Sequence, residues 1–351
     1  MAVKITKPEL NLREKISELD KPSGIAGEAM LRAETPQEQF NLIGAGRRNI
    51  IINGAMQVSQ RGDFTTASSM TNAYKLDRWL CDHNGTATLQ HTTGHDILGT
   101  PAICKAIKVV QTVTGTNYLG VRQKIENPSI YAARTFTYSA WIRSNTPNAR
   151  IECYIPGTSP NIYVGPNHSG NGEWEYLSYT FTVNPGTPTE FLADVFIDNG
   201  AYSNTTITAG EFIEVTMLQL ELGKVATPFE HRSYGEELAL CQRYYQKFFD
   251  EAASTGQVIL MGLASGLGQF TWWPPVEMRA RPTVGITDTT PYWESFPWNT
   301  VGTSLTVSTI SNGHIGRSGG EVGVYGSFNP ALVRGTNYTM TGEVIYFDAE
   351  L

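Results

Sequence analysis

Between Asn49 and about His231, apolar residues recur at every second position, the period of a strand with one buried face. Thr135 to Arg143 reads as one strand, ended by Ser144-Asn145-Thr146-Pro147, and Arg150 to Ile155 as another, stopped by Pro156-Gly157. Trp174 to Val183, Phe191 to Ile197 and Glu211 to Leu222 complete the set. Helical periodicity is absent from this stretch, so two antiparallel sheets packed face to face are expected. The pattern then changes. Ser233-Tyr234-Gly235-Glu236 is a capping box, followed by Leu238, Cys241, Tyr245 and Phe248 at i, i+3, i+7 and i+10. Tyr244 and Phe249 widen that stripe, and a single helix with so wide an apolar face needs two neighbouring elements or a symmetry mate. After Phe249 the strand period returns, rich in Gly, Thr and aromatics.

Residues 1–48 read differently. Thr6-Lys7-Pro8-Glu9 is a second capping box, and Leu12, Ile16 and Leu19 follow it as one narrow apolar stripe. Asp20-Lys21-Pro22-Ser23-Gly24 stops that helix. Thr35-Pro36-Gln37-Glu38 opens a second short helical segment, which carries Phe40. Helices this short are marginal alone, so the arm must dock on something. The prediction is a mainly β chain: a short N-terminal helical arm at 1–48, a β-sandwich at 49–232, and a linking helix plus small C-terminal β domain at 233–351.

Composition sharpens the boundary at residue 48. Charged residues make up 17% of the 351, below the ~25% of an ordinary soluble domain. Residues 1–48 hold 15 of the 59 charges, whereas the 104 residues after Lys247 hold four arginines, no lysine and nine acids. A net charge of −7 argues against nucleic acid, which requires a basic field. No run of 18 apolar residues and no signal-peptide h-region occurs, so neither membrane insertion nor signal-directed secretion is expected. Cys81, Cys104, Cys153 and Cys241 are widely spaced in apolar contexts and are expected to be buried thiols.

Catalytic patterns are missing. No G-x-S-x-G occurs; Gly262-Leu263-Ala264-Ser265-Gly266 comes nearest, with alanine before its serine. No P-loop is present. His83, His91 and His95 lack metal-binding spacing and are expected on a solvated loop face. Glycoside cleavage needs two carboxylates about 5–9.5 Å apart. Asp194 and Asp198 share a strand face with Cα atoms ~13 Å apart at ~3.3 Å per residue. Glu211 or Glu214 from a neighbouring strand would have to meet one of them. No enzyme is therefore expected. Aromatics carry the one positive signal: Trp272, Trp273, Trp293 and Trp298 fall within 27 residues, and Pro291 to Trp298 holds four aromatics. Exposed, Trp272, Trp273, Tyr292, Trp293 and Trp298 would stack on sugars or fill receptor pockets; buried, they would form a core or a subunit interface. Trp79, Trp141 and Trp174 lie in strand pattern and are expected in the core.

Several stretches also resemble a known family. Lys7-Pro8-Glu9-Leu10-Asn11-Leu12-Arg13-Glu14-Lys15, Asn41-Leu42-Ile43-Gly44, and Arg48-Asn49-Ile50-Ile51-Ile52-Asn53-Gly54-Ala55-Met56-Gln57-Val58-Ser59-Gln60-Arg61-Gly62 resemble tail-fibre and virion-appendage proteins of tailed bacteriophages, especially of marine and cyanobacterial hosts. Gln219 to Arg232 is similar to the closing strand of a carbohydrate-binding-like jelly roll in such fibres, Gly235 to Tyr245 to the helix that follows, and Pro275 to Val284 to their C-terminal β domain. The resemblance implies a structural, non-catalytic virion protein, assembled in the host cytoplasm. Its arm, through Leu12, Ile16, Leu19 and Phe40, would anchor it to other virion proteins of the tail. Its body would be a jelly roll that meets a host-surface glycan or receptor. A head-attached fibre or capsid decoration is the alternative, and a capsule-polysaccharide depolymerase a weaker one. A homotrimer is expected, with Leu238, Cys241, Tyr245 and Phe248 at its axis. No cofactor is expected, although such jelly rolls leave room for one structural calcium, for which Asp77, Asp82 and Glu221 are candidates.

Overall fold

A computed structural model describes residues 48–350, apart from 63, 70–71, 98–99, 200–204, 248–256, 265, 287–291, 296–303, 312–314, 330–336 and 342–344. The proposed anchor residues Leu12, Ile16, Leu19 and Phe40 lie outside the described residues. Fourteen strands build the first unit: β1 (Ser68–Ser69), β2 (Ala73–Leu76), β3 (Trp79–His83), β4 (Ala87–Ile97), β5 (Thr100–Gln111), β6 (Gly115–Asn117), β7 (Leu119–Lys124), β8 (Thr135–Ser144), β9 (Ala149–Tyr154), β10 (Ile162–Asn167), β11 (Trp174–Thr182), β12 (Leu192–Ile197), β13 (Thr205–Ile207) and β14 (Phe212–Leu222). They form two six-stranded antiparallel sheets, β1-β4-β5-β14-β8-β11 and β10-β9-β12-β7-β3-β2, and a two-stranded ribbon, β13-β6. The chain passes repeatedly from one sheet to the other, as in a jelly roll. The five strands read from alternation match β8, β9, β11, β12 and β14 to within a residue or two at each end.

Alternation decides the core. Phe136, Tyr138, Ala140 and Ile142 of β8 and Ile151 and Cys153 of β9 point inward and are fully buried, with Val195 and Ile197 of β12. Phe136 meets Phe181 and Phe191 at ring-centroid separations of 5.8 and 5.4 Å. Trp79 is fully buried and donates its indole N–H to the Asn53 carbonyl at 2.9 Å. A bulge at Met217, where φ is +49°, breaks the β14 register between Thr216 and Gln219. The extra residue places Met217 on the outer face while Leu218 and Leu220 return to the core.

The stretch 48–62, prominent in the family resemblance, closes the end of the sandwich. Asn49 donates to the Leu218 carbonyl at 3.0 Å and accepts from the Leu220 amide at 3.1 Å. Asn53 accepts from the Val58 amide and donates to the Val58 and Asp77 carbonyls. These asparagines satisfy backbone groups that no strand partner reaches.

Ser233 caps α1 (Tyr234–Gln242), its hydroxyl accepting from the Glu236 amide, as the capping box predicts. The helix is shorter than its stripe suggested. Tyr244 is in a turn and Tyr245 opens a strand, β15 (Tyr245–Lys247), so neither extends the helical face. The remaining strands are β16 (Gln257–Ala264), β17 (Leu267–Trp272), β18 (Thr283–Ile286), β19 (Tyr292–Ser295), β20 (Ser304–Ser311), β21 (Gly320–Asn329), β22 (Asn337–Thr341) and β23 (Ile345–Asp348). They form a three-stranded sheet, β15-β23-β18, and a six-stranded sheet, β19-β22-β16-β17-β21-β20.

Charged groups join this second unit to the sandwich. Arg61 reaches Asp348 at 3.2 Å and Glu350 at 3.4 Å, and lies 3.7 Å from the centre of the Tyr245 ring. Arg78, fully buried, pairs with Glu350, donates to the Lys124 carbonyl and stacks 3.6 Å over Tyr244. Burial opposes charge on Arg61, but the facing Glu350, Asp77 and Asp348 outweigh it and raise its pKa. Tyr244 and Tyr245 thus find their cover inside the chain.

Candidate functional site

The outer face of the first sheet carries an aromatic ledge. On β8 the outward residues are Thr135, Thr137, Ser139, Trp141 and Arg143; on the edge strand β11 they are Thr182, Thr180, Ser178, Tyr176 and Trp174, each directly opposite its partner in that order. The strip reads as hydroxyls over three rows and rings over two, along about 26 Å at ~3.3 Å per residue. Trp141 and Tyr176 stand side by side with ring centroids 5.5 Å apart at 49°. Tyr176 is 43% exposed, and Trp141 and Trp174 are half-buried. Arg143 lies 5.8 Å from the centre of the Trp174 ring and 5.5 Å from that of Phe212.

The ledge is built on a small apolar base. Ile97, near the end of β4, and the bulged Met217 are buried there, with Trp141, Trp174 and Phe229 packed on them. Glu214, fully buried, fixes Arg143 through a 2.8 Å bond to Nε and also accepts from the Thr92 hydroxyl. In the hydroxyl rows, Thr135 meets Thr182 and Thr137 meets Thr180, each at 2.9 Å. Burial raises the Tyr176 phenol above its ordinary value, so its hydroxyl stays neutral at physiological pH. Thr137 and Ser139 are buried beneath the strip, so the ledge offers flat apolar rings, the hydroxyls of Thr135, Ser178, Thr180 and Thr182, and one held cation.

Trp141 and Trp174 were expected in the core and stand instead on the outer face; Trp79 alone of the three is interior. The C-terminal aromatics divide. Trp272 is buried and stacks on Phe347 at 3.7 Å and 6°, so it is core and not a ligand contact. Its neighbour Trp273 is 72% exposed, as alternation on a strand end requires. Tyr292 and Trp293 sit on β19, paired with β22, and not in a loop; their side chains and all of Trp298 lie outside the described residues. Cys241 is fully buried within the chain, Tyr245 packs on Arg61, and Leu238 is half-buried. The helical stripe proposed as an oligomer interface is thus largely consumed internally, with Phe248 outside the described residues.

The carboxylates also differ from expectation. Glu214 belongs to the opposite sheet from Asp194, Asp198 lies just past the end of β12 and so shares no strand face with Asp194, and it is Glu152 of β9 that faces Asp194 directly across the ladder. Both are fully buried, and Asp194 lies 3.5 Å from Arg122, which also pairs with Asp82 at 3.1 Å. Asp198 is held by Arg150 at 3.1 Å. Fully buried carboxylates give a sugar bond no direct approach. Of the calcium candidates, Asp77 accepts from the Gln60 amide and side chain, Asp82 pairs with Arg122, and Glu221 accepts from Thr227. Among the described residues no three metal-type side chains cluster. His91 is buried on β4 against the Met56 carbonyl, not on a solvated loop, and His83 is on β3; the His95 side chain lies outside the described residues. Cys81, Cys153 and Cys241 are buried free thiols, and burial lifts Cys81 to about 12; the Cys104 side chain is not described.

No family model and no curated protein sequence matches the chain. Solved structures match in part. The enzymatically active domain of tailspike protein 4 of bacteriophage CBA120 aligns at 14% identity and a TM-score of 0.34, over 50% of this chain and 21% of that one. A xylan-binding domain of Paenibacillus barcinonensis Xyn10C aligns at 13% identity and 0.32, over 45% of this chain and 99% of its own. A family 61 carbohydrate-binding module in complex with β-1,4-galactotriose aligns at 12% identity and 0.29, over 51% of this chain and 100% of its own. The chain thus spans about a fifth of the tailspike chain it matches, and at these TM-scores the likeness carries no function across.

Proposed function

We propose that the chain is a non-catalytic structural protein of a tailed-phage particle, a tail fibre whose N-terminal arm anchors it and whose sandwich meets a host-surface glycan on the aromatic ledge. The observation that carries the glycan contact is the Trp141–Tyr176 pair, with Trp174 one row further, presented on an edge of the sheet beside rows of serine and threonine hydroxyls. Aromatic faces take the apolar C–H side of a pyranose and the hydroxyls answer its polar edge, while the one lining cation, Arg143, is already neutralised by Glu214, which suits a neutral sugar. Rings already fixed by packing lose little entropy on binding. Burial of Glu152 and Asp194 supports binding over cleavage. The virion setting is supported by the family resemblance of residues 7–15, 41–44, 48–62, 219–232, 235–245 and 275–284.

The test joins a glycan array with an adsorption assay. The wild-type chain should bind a subset of neutral glycans, and Trp141→Ala with Tyr176→Ala should weaken that binding at least tenfold while circular dichroism stays unchanged. Particles carrying the double variant should adsorb more slowly to host cells. Full binding and adsorption by a folded double variant would remove the ledge from the function. Shortening of host polysaccharide on incubation would replace attachment by depolymerisation, and location of the chain on heads in electron micrographs would replace the tail fibre by a head fibre.

A further inference from the structure

A second site opens where the sandwich meets the C-terminal unit. A cleft of about 390 Å³ lies between the end of β7, the turn before β12 and three arginines of the far unit. Such a volume falls in the ~300–1,000 Å³ range of small-molecule pockets. Lys124, Arg243, Arg279 and Arg317 line it, against Glu126 and Glu190. In a chain of net charge −7 this is a local excess of cations. Two of the only four arginines after Lys247 are gathered here.

Main-chain bonds fix the segments that carry Arg243, Arg279 and Arg317, carbonyls hold the Arg279 and Arg317 side chains, and glutamates hold those of Arg243 and Lys124. The Arg279 amide donates to the Arg243 carbonyl at 2.7 Å, and the Met278 amide to the Arg317 carbonyl at 3.0 Å. Arg279 donates from Nε to the Ala349 carbonyl at 3.0 Å and from Nη2 to the Glu350 carbonyl at 3.2 Å. Arg317 donates from Nε to the Met278 carbonyl at 2.9 Å. Arg243 reaches Glu126 from Nη2 at 3.3 Å, and Lys124 reaches Glu190 at 3.4 Å. These bonds use one edge of each guanidinium, and a guanidinium has five donors in a planar fork that matches a carboxylate. Three forks converge on the cleft, with Glu126 on Arg243 and Glu277 on Arg317, each at 3.3 Å, as the carboxylates that an incoming oxyanion would displace or share.

We infer that this cleft binds an anionic sugar unit, a carboxylate-bearing residue of a surface polysaccharide, with the carboxylate on Arg243 and Arg317 and the hydroxyls on Thr189, Asn127 and Glu190. The preference for an anion follows from the cleft alone; the sugar rests on the glycan-attachment reading. Ledge and cleft would then divide the work, one taking neutral units and the other acidic ones.

Calorimetric titration of the full chain with oligogalacturonate, with a neutral oligogalactoside of equal length and with inorganic sulfate tests this. The acidic oligomer should bind, and Arg317→Gln and Arg243→Gln should each weaken it at least tenfold. Trp141→Ala should leave it unchanged, and Glu126→Gln, which removes the carboxylate that competes for Arg243, should tighten it. Rising salt should weaken it in wild type more than in either arginine variant. Wild-type affinity in both arginine variants, or no binding of the oligomer at millimolar concentration, overturns the site. Sulfate binding as tightly as the oligomer overturns the sugar. Loss of neutral-glycan binding in the Trp141→Ala, Tyr176→Ala variant reads the ledge separately, so either site can fail while the other stands.

Discussion

The two sheets of the sandwich turn opposite kinds of surface outward. On the first sheet, Trp141, Tyr176 and Trp174 stand half-open among serines and threonines. On the second, the outward row from β9 to β7 reads Glu152, Asp194, Arg122, and the next row from β9 to β3 reads Arg150, Phe196, Gly120, Asp82. Two carboxylates directly opposite repel, and here each array is compensated: Arg122 bridges Asp194 and Asp82 and lies over Phe196, and Arg150 holds Asp198. One face is thereby closed by its own charges, whereas the other keeps rings that its own chain only partly covers. Both are six-stranded antiparallel sheets; residue chemistry, with the Met217 bulge beneath the rings, makes one a support and the other a contact surface.

The largest effect should come from opening the charged face. Arg122→Met keeps the stem over Phe196 but leaves Asp194 buried without this cation. Breaking a buried pair in this way costs about 3–5 kcal/mol. Urea unfolding should show that loss with glycan binding by the surviving folded fraction unaltered; a loss below about 1 kcal/mol would mean the array is not a support.

The same sheet extends into the seam through Asp77, and there the effect is pH-dependent. Burial pushes the Asp77 carboxyl from 3.8 up to about 6, against the pull of Arg61 and the Gln60 amides. A carboxyl raised in the folded state contributes stability below its unfolded pKa, and that contribution is lost as pH rises toward the folded value. The window is therefore about pH 4 to 6, and two pKa units correspond to roughly 3 kcal/mol. The stability difference between wild type and Asp77→Asn should shift by about that much across the window, in favour of the variant at higher pH. A difference that stays constant with pH would show that Asp77 is not titrating there.

Part of this contrast was legible in the sequence. Thr135 to Ser144 holds two alternating sets: Phe136, Tyr138, Ala140 and Ile142 in one, Thr135, Thr137, Ser139, Trp141 and Arg143 in the other. Trp141 shares the phase of the polar residues, and Trp174 and Tyr176 share theirs with Ser178, Thr180 and Thr182. That phase points outward, although the strand pattern and their hydrophobicity put Trp141 and Trp174 among the residues expected in the core. The helix was overextended because Tyr244 and Tyr245 continue its stripe, although their partners are cations on remote segments. Nothing local announces Arg78 with Glu350, 272 residues apart, or the arginines of the cleft. Alternation fixes which side of a strand a residue faces, but not which strand lies beside it.

The smallest stability effect should fall on the ledge, and that is what sharpens the contrast. Removing a tryptophan from a core costs about 3–5 kcal/mol, the loss expected for Trp79→Ala, where the ring is fully buried and its indole N–H is bonded to Asn53. Trp141 is half-open and its indole rests on Tyr176, Met217 and Ile97 without entering the main core. Its truncation should cost no more than about 2 kcal/mol, since only the covered part of the ring leaves a hydrophobic environment. The same truncation should remove most of the neutral-glycan binding, because the flat face it deletes is the contact surface. A residue that stabilises little and binds much is what a contact surface requires. Should Trp141→Ala unfold the chain as readily as Trp79→Ala while binding by its folded fraction persists, the outer aromatic face would be a second core, and the two sheets would not differ in role.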